Sequence, residues 1–419
     1  MILYSTKHQS KPASLEKAVL KGLAEDGGLY MPEKIPQLTA NFFENISKLS
    51  FQEIAFIVSK ALIGEDIGDN DLKKIINQAI DFDAPLVKLE DKIYSLELFH
   101  GPTLAFKDFG ARFMSRLMGH FLKEKNQQTL ILAATSGDTG SAVAHGFFQV
   151  PNIKVAILYP SGKVSHLQEQ QMTTMGGNIT AFEVNGSFDD CQAMVKAAFM
   201  DQTLHKLNLS SANSINISRL IPQTFYYFYA YAQLQKQGVR KAPIFSVPSG
   251  NFGNLTAGVI AHKMGLPVSK FIAATNANDT FPIFMRTGNY QPKPSVKTIA
   301  NAMDVGAPSN FARLLDIFGS KEEMEKMIWS QSFSDQEITA CIKKVRSEDG
   351  YTLDPHGAVA YLGIKAYNQD DTASILLETA HPAKFLDVEI PERLAKYAKL
   401  EKKSIKIGNS IQDLKKALI

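Results

Sequence analysis

The chain has 419 residues, of which 45% are hydrophobic and 21% charged, and its formal net charge at pH 7 is +3. This length is too great for one simple core and predicts two or more domains. The small net charge does not favour nucleic acid or a membrane surface as a partner. The two cysteines form no CxxC motif, so neither a disulfide framework nor a zinc ribbon is indicated.

The first residues are too polar and too short a stretch for a signal peptide. No apolar run reaches transmembrane length. We therefore expect a cytoplasmic protein.

Residues 1–92 carry helical periodicity and predict a mainly helical N-terminal region, in which Ser14 is the N-cap of a helix over 15–24. Residues 93–240 alternate short apolar runs with amphipathic segments, which predicts βαβ units and a parallel sheet. Residues 241–385 repeat that alternation. Residues 386–419 are lysine-rich and predict a solvated helical tail. The expected fold is therefore α/β, with two open parallel-sheet domains.

The stretch 100–110 places one lysine, Lys107, at the start of a predicted helix among Leu104, Phe106 and Phe109. Burial and the positive end of the helix dipole both disfavour a charged amine at this position. A neutral amine can attack a carbonyl and form a Schiff base. The alternative is a solvated lysine on an amphipathic helix, since most lysines are exposed.

Two glycine-containing loops, 135–140 and 249–254, each join a predicted strand to a predicted helix. Neither fits the dinucleotide fingerprint or the P-loop. Glycine lets a ligand approach the backbone, and free N–H groups at the following helix N-terminus suit an anion. The uncharged loop 249–254 suits a phosphate, and the hydroxyls of 135–140 suit a carboxylate. The alternative is that glycine only serves the turn.

Further polar groups lie in two other segments. The loop 160–165 offers Lys163, and the segment 213–223 offers Arg219, a natural fork for a phosphate. Each segment would by default be a surface loop. The histidines show no HExxH motif or clustered metal spacing, and no GxSxG elbow is present, so a metal site and a serine hydrolase are unsupported.

Four motifs in chain order, at 100–108, 134–141, 249–254 and 378–385, resemble the threonine synthase family. That family consists of pyridoxal-phosphate enzymes of fold type II, the tryptophan synthase beta-like type. The segments 22–29 and 213–216 also resemble the family. The resemblance covers nearly the whole chain, and the four motifs are specific only together.

The resemblance implies pyridoxal 5'-phosphate as cofactor and Lys107 as its Schiff-base lysine. Thr379 would meet the pyridine nitrogen. Asp138 stands where many fold-type-II relatives place asparagine against the ring oxygen of the cofactor, so an ionised Asp138 would need a proton or a neighbouring cation. The loop around the cofactor phosphate would comprise Gly250, Asn251, Phe252, Gly253 and Asn254, and the substrate carboxylate would meet Thr135, Ser136 and Thr139.

The resemblance also implies the reaction, in which O-phospho-L-homoserine and water give L-threonine and phosphate, the last step of threonine biosynthesis. Lys163 and Arg219 are our candidates for the substrate phosphate, with Ser214 and Asn216 facing the cleft. The lysine and the substrate loops would belong to a smaller domain, 93–240, and the cofactor loop to a larger one, 241–385. A monomer or homodimer is expected.

Two alternatives stay open at this point. A serine or threonine dehydratase of the same fold would not need a second anion pocket. A non-catalytic cofactor-binding relative would keep the cofactor loop without the reaction.

Overall fold

The computed structural model describes residues 1–123, 125, 127–368 and 371–419. Fourteen strands lie in this part of the chain. They are β1 (Ile2–Ser5), β2 (Ala13–Ser14), β3 (Tyr30–Pro32), β4 (Leu86–Glu90), β5 (Ile93–Glu97), β6 (Thr129–Ala134), β7 (Ile153–Pro160), β8 (Ile179–Val184), β9 (Leu209–Ser211), β10 (Ile244–Pro248), β11 (Lys270–Thr275), β12 (Ile328–Ser332), β13 (Ser374–Glu378) and β14 (Ser404–Ile407).

The described residues also form seventeen α-helices. They are α1 (Leu15–Lys21), α2 (Ala40–Asn45), α3 (Phe51–Ile63), α4 (Asp69–Ala79), α5 (Lys107–Leu122), α6 (Asp138–Phe147), α7 (His166–Thr173), α8 (Phe188–Met200), α9 (Ile221–Lys236), α10 (Gly253–Lys263), α11 (Thr280–Thr287), α12 (Phe311–Phe318), α13 (Lys321–Met327), α14 (Asp335–Glu348), α15 (Pro355–Tyr367), α16 (Glu392–Ala398) and α17 (Ile411–Leu418).

Three sheets organise these elements. A six-stranded sheet has the order β12-β11-β10-β13-β5-β4, and a five-stranded sheet has the order β14-β8-β7-β6-β9. The five-stranded sheet is parallel throughout, and in the six-stranded sheet only β4 runs antiparallel to its neighbour. A small antiparallel sheet, β2-β1-β3, lies in the N-terminal region. The predicted α/β class with two parallel sheets is confirmed.

The two central strands of the six-stranded sheet explain why that sheet forms. Every residue of β10 and of β13 is buried, as expected of parallel strands covered by helices on both faces. Ser246, the polar residue in the middle of β10, donates its hydroxyl to the carbonyl of Ala360 on α15 at 2.6 Å. The buried hydroxyl is therefore satisfied, and the helix is tied to the sheet.

Strand β5 does not join the sheet that the sequence predicts for it. It was expected to open the smaller domain at residue 93, but it pairs in parallel with β13 of the six-stranded sheet, Ile375 lying opposite Tyr94. The antiparallel pairing of β4 with β5 then completes that edge. Strand β5 therefore pairs with the sheet of residues 241–385, because strand neighbours are decided by packing and not by order along the chain.

The N-terminal region is mainly helical, as predicted, and the tail differs from the expectation. Ser14 caps α1 as predicted, its hydroxyl accepting from the N–H of Lys17, but β1–β3 add a sheet to the helices. The tail at 386–419 is not a solvated helix, since β14 extends the five-stranded sheet alongside β8 and Leu414 of α17 is fully buried. No helix of the described residues has the length and apolarity to cross a membrane.

The burial of Leu414 gives a test of the tail's role in the core. We expect Leu414→Ala to lower the free energy of unfolding by about 2–4 kcal/mol in urea titration, because it leaves a cavity in the buried cluster that also contains Leu132 and Phe182. Leu418→Ala, at a partly exposed position of the same helix, is the matched control and should cost clearly less. Equal losses would show that α17 is not part of the core.

Candidate active site

A cavity of about 130 Å³ lies where the carboxyl ends of strands from both large sheets meet. Lys107, the first residue of α5, lines it. The loop before Lys107 is pinned to the segment after β13, since the N–H of Phe106 donates to the carbonyl of Thr379 at 2.8 Å and the N–H of His381 donates to that of Leu104 at 3.0 Å. The lysine is thus held beside Thr379, which also lines the cavity.

Asp108 closes the turn that carries Lys107. Its buried carboxylate accepts from both the N–H and the hydroxyl of Thr103, each at 2.8 Å. Burial raises the pKa of Asp108 to about 6, although the two bonds from Thr103 oppose the shift. A Cβ on Gly101 would lie 2.5 Å from this carboxylate, so glycine is required for the approach. Asp108 therefore shapes the loop and does not face the cavity.

The surroundings of Lys107 favour a neutral amine. Burial lowers the pKa of Lys107 to about 8, the attraction of Asp138 opposes this shift, and the charges of Arg219 and Lys384 add to it. Its Nζ lies 5.9 Å from the ring centroid of Phe106. A far larger fraction of this amine is neutral near pH 7 than of an exposed lysine, as a nucleophile requires.

The loop 249–254 has the backbone of an anion cradle. Phe252 adopts a left-handed conformation (φ 60°), and α10 begins at the next residue, Gly253. The first N–H groups of a helix have no intrahelical acceptor, so they are free to bind an anion. A Cβ on Gly250 would lie 2.6 Å from the Cα of Met303, which leaves room only for glycine.

Asn254 contributes a side-chain donor to this cradle. Its Oδ1 accepts from the hydroxyls of Tyr226 at 2.6 Å and Tyr227 at 2.8 Å. Burial raises the pKa of both tyrosines well above the ordinary value, so both remain donors. The amide orientation is thereby fixed, and its Nδ2 is buried with no partner among the described residues. An unsatisfied donor lining the cavity fits an anionic ligand oxygen.

The side chains of Asn251 and Ser214 differ in whether a hydrogen-bonding group is left for a ligand. The side chain of Asn251 is consumed by the fold, as Nδ2 donates to Ser214 Oγ at 2.6 Å and Oδ1 accepts from the N–H of Ser309 at 2.6 Å. Asn310 also donates to Ser214 Oγ, at 3.1 Å. Because Ser214 Oγ accepts twice, its proton is available to a ligand in the cavity.

Arg313 holds the segment around Ser214 in place and was missed by sequence reasoning. It is fully buried, and its five hydrogen bonds reach the carbonyls of Tyr30, Ser214 and Ile215 and the side chain of Asn310. Burial lowers the pKa of Arg313 to about 9. A lone arginine in an amphipathic helix carries no signal for such a role, because its partners are backbone carbonyls distant in sequence.

The loop 135–140 also contains one shaping residue. Thr135 Oγ1 accepts from the N–H groups of Gly137 at 3.0 Å and Gly140 at 2.8 Å, so it builds the loop and has less to offer a ligand. Ser136 and Thr139 are partly exposed and line the cavity. The start of α6 at Asp138 adds free N–H groups beside them.

Arg219 is a buried cation at the cavity wall. Its side chain is 3% exposed, Nη1 donates to the carbonyl of Ala212 at 2.6 Å, and Nε has no partner among the described residues. Burial lowers the pKa of Arg219 to about 10, although Asp108 attracts the charge. A buried charge that meets mainly neutral groups is suited to an anionic ligand.

His356 is a further lining residue that sequence reasoning missed. Its Nδ1 lies 2.5 Å from Asp354 Oδ1, and the N–H of Ala302 donates to its Nε2 at 3.2 Å. This pattern is that of a neutral imidazole, protonated on Nδ1. His356 therefore anchors the segment 302–305, which covers the cradle near Gly250.

Most of the predicted site residues meet in this cavity, and three do not line it. Lys163 is exposed and lies outside the cavity, because its turn ends on the surface. Asn216 points into the protein, where its amide donates to the carbonyls of Val19 at 2.9 Å and Ser211 at 3.2 Å. Asp138 is buried and does not line the cavity. The lining residues are Lys107, Thr135, Ser136, Thr139, Ser214, Arg219, Gly250, Asn251, Phe252, Gly253, Asn254 and Thr379.

Comparison with known proteins identifies the family. A family model described as "Pyridoxal-phosphate dependent enzyme" matches residues 81–377, and one described as "Threonine synthase N terminus" matches residues 3–80. The threonine synthase of Haemophilus influenzae is 45% identical over 429 aligned positions, which cover 100% of each chain. This chain belongs to the threonine synthase family.

Solved structures agree with the family assignment. The crystal structure of threonine synthase from Escherichia coli is 42% identical, with a TM-score of 0.94 and coverage of 100% of this chain and 99% of its own. The pyridoxal-phosphate-bound threonine synthase from Brucella melitensis is 33% identical, with a TM-score of 0.94 and coverage of 100% and 98%. As a member of this family, the chain is a pyridoxal-phosphate-dependent enzyme.

The tight approach at Gly250 predicts a specific cost. We expect Gly250→Ala to weaken pyridoxal-phosphate binding roughly tenfold to hundredfold, since the methyl group would force the cradle away from Met303. Absorbance titration of the cofactor-free protein measures this loss. Gly68→Ala is the control, because a Cβ there meets nothing within 4 Å. Unchanged affinity in Gly250→Ala would show that this loop does not hold the cofactor.

Proposed function

We propose that this enzyme converts O-phospho-L-homoserine and water to L-threonine and phosphate. Family membership supports the proposal, and one observation carries it: the cavity offers an anion cradle and, separately, a buried cation. The cradle, residues 250–254, suits the phosphate of the cofactor. Arg219 is then left for a second phosphate, that of the substrate.

The residues present fit the cofactor. The unpartnered Nδ2 of Asn254 and the free N–H groups at the start of α10 would hold its phosphate, and Thr379 would face its ring nitrogen. Lys107 would hold its aldehyde carbon. When bound, pyridoxal phosphate supplies an electron sink that stabilises negative charge at substrate carbon atoms near the amine. A hydroxyl such as that of Thr379, unlike a carboxylate, does not require the ring nitrogen to be protonated.

The chain's own groups account for proton transfer and binding. Lys107, with a pKa lowered to about 8 by burial, can take a proton from the substrate Cα and return one near neutral pH. Ser136, Thr139 and the N-terminus of α6 would bind the substrate carboxylate. Arg219 and the hydroxyl of Ser214 would bind its phosphate, where charge grows as the group leaves.

The two alternatives make different demands on this cavity. A dehydratase acting on serine or threonine has no substrate phosphate, so a buried Arg219 would have no anion to meet. A non-catalytic relative would need no amine with a lowered pKa at Lys107. Both features of the cavity therefore favour the phosphate-releasing reaction.

The domain organisation, the oligomeric state and the cellular location are also proposed. We infer that the two large sheets mark two domains with the cofactor between them, the smaller built on the five-stranded sheet and the larger on the six-stranded one. A monomer or homodimer in the cytoplasm is the expected state.

The reaction itself is tested by product analysis with Lys107→Ala as the paired variant. The enzyme should release phosphate from O-phospho-L-homoserine in step with threonine. Lys107→Ala should still bind pyridoxal phosphate through the cradle but lose turnover by at least about a thousandfold, since the group that moves protons is gone. Phosphate release without threonine, or threonine formation by Lys107→Ala, would refute the assignment.

The role of Arg219 is tested by comparing variants of Arg219, which lines the cavity, and of Lys163, which lies outside it. We expect Arg219→Met to lower kcat/KM for O-phospho-L-homoserine by roughly tenfold to a thousandfold, the range of one lost charge-assisted contact. Binding of unphosphorylated L-threonine should change little. Lys163→Met, on the exposed turn, should leave the kinetics within about twofold of the parent. Equal loss for phosphorylated and unphosphorylated ligands would show that Arg219 serves only the fold.

A further inference from the structure

Lys384 is a fully buried lysine to which the proposed reaction assigns no role. It lies at the end of the turn Pro382–Lys384, five residues after Thr379. Its Nζ lies 2.5 Å from Asp138 Oδ1 and donates to the carbonyl of Thr103 at 2.8 Å. One ammonium group therefore joins the segment after β13, the start of α6 and the loop that leads to Lys107.

Asp138 is ionised because of this contact. Burial raises its pKa, but the charges of Lys384 and Lys107 and hydrogen bonds from Lys384 and Gln168 lower it to about 2. The Gln168 amide donates to the same Oδ1 at 2.8 Å, so the carboxylate is held from two sides. Lys384 is thus the neighbouring cation that an ionised aspartate at this position needs.

The Asp138 charge also acts on Lys107. It attracts the ammonium form of Lys107, while Arg219 and Lys384 repel it, and the carboxylate of Asp108 is bonded to Thr103. Charges in a buried site are weakly screened by solvent and salt, so each affects the amine. Burial is the main cause of the lowered Lys107 pKa, and one negative and two positive charges adjust it further.

We propose that Lys384 is a positioning residue that neutralises Asp138, so that the amine of Lys107 stays available in its neutral form. The proposal rests on the proposed role of Lys107 as the reacting amine. Without Lys384, the charge of Asp138 would be uncompensated and would favour the ammonium form of Lys107 more strongly. Without Asp138, the unpaired Lys384 would repel that ammonium ion further.

A merely structural role for Lys384 predicts a different pattern. If the ammonium only bridged Thr103 and Asp138, both Lys384→Met and Asp138→Asn would loosen the same contact. Both variants would then change the site in the same direction. Opposite shifts of the Lys107 pKa in these two variants distinguish charge balance from bridging.

The experiment measures the Lys107 pKa in the full chain after removal of the cofactor, by labelling with acetic anhydride between pH 6 and 11 and quantifying the modified peptide. We expect Lys384→Met to raise this pKa by about one pH unit and Asp138→Asn to lower it by about one, or roughly tenfold in reactive amine each way. The double variant should return towards the parent value, and Lys384→Arg should resemble the parent. The pH dependence of the absorbance of bound pyridoxal phosphate in the holoenzyme should shift in the same directions.

Shifts in the same direction, or no shift in Lys384→Met, would overturn the proposal. If circular dichroism shows that Lys384→Met does not fold, the pair Asp138→Asn and Asp138→Asn/Lys384→Met carries the test, and a Lys107 pKa in the double variant no higher than in Asp138→Asn refutes it. The labelling needs no substrate, so its failure is separate from a failure of the enzyme to release phosphate from O-phospho-L-homoserine.

Discussion

A buried ion pair between Lys384 and Asp138 joins the segments that follow strands of the two large sheets. Burying two charges is unfavourable unless their remaining hydrogen-bonding groups are also satisfied. Here the carbonyl of Thr103 and the amide of Gln168 provide those partners. Asp138 follows β6 of the five-stranded sheet, and Lys384 follows β13 of the six-stranded sheet. The pair can form only when both sheets have assembled around the cavity, which couples the charge state of the site to the fold.

Arg313 and Arg219 are both buried, but their donors are satisfied to different degrees. Arg313 has five hydrogen bonds to neutral oxygens, so its donors are used and its role is to hold the segment at Ser214. Arg219 donates to one carbonyl and leaves Nε without a partner in the described part of the chain. The two arginines therefore differ in how fully their donors are satisfied and not in burial, and this difference supports the proposed ligand-binding role of Arg219.

Core packing also orients a donor of the cofactor cradle. The helix α9 is buried on nearly every side, and it presents Tyr226 and Tyr227 to one oxygen of Asn254. Because that oxygen accepts two hydroxyl protons, the amide nitrogen is the side-chain atom left to donate to a ligand. The helix that fills the core therefore also sets the direction of a binding group, which explains why such a site needs a large and rigid scaffold.

Local features of the site were accessible from the sequence. Glycine at 250 and a lysine at the start of a helix depend on residues within one loop, and the four motifs together indicated the family. The sheet joined by β5, the partner strand of β14, the outward position of Lys163 and the inward turn of Asn216 were decided by tertiary packing. The cation beside Asp138 lies 246 residues away along the chain. Strand neighbours and charge partners of this kind arise from contacts between distant segments, which periodicity and local spacing do not encode.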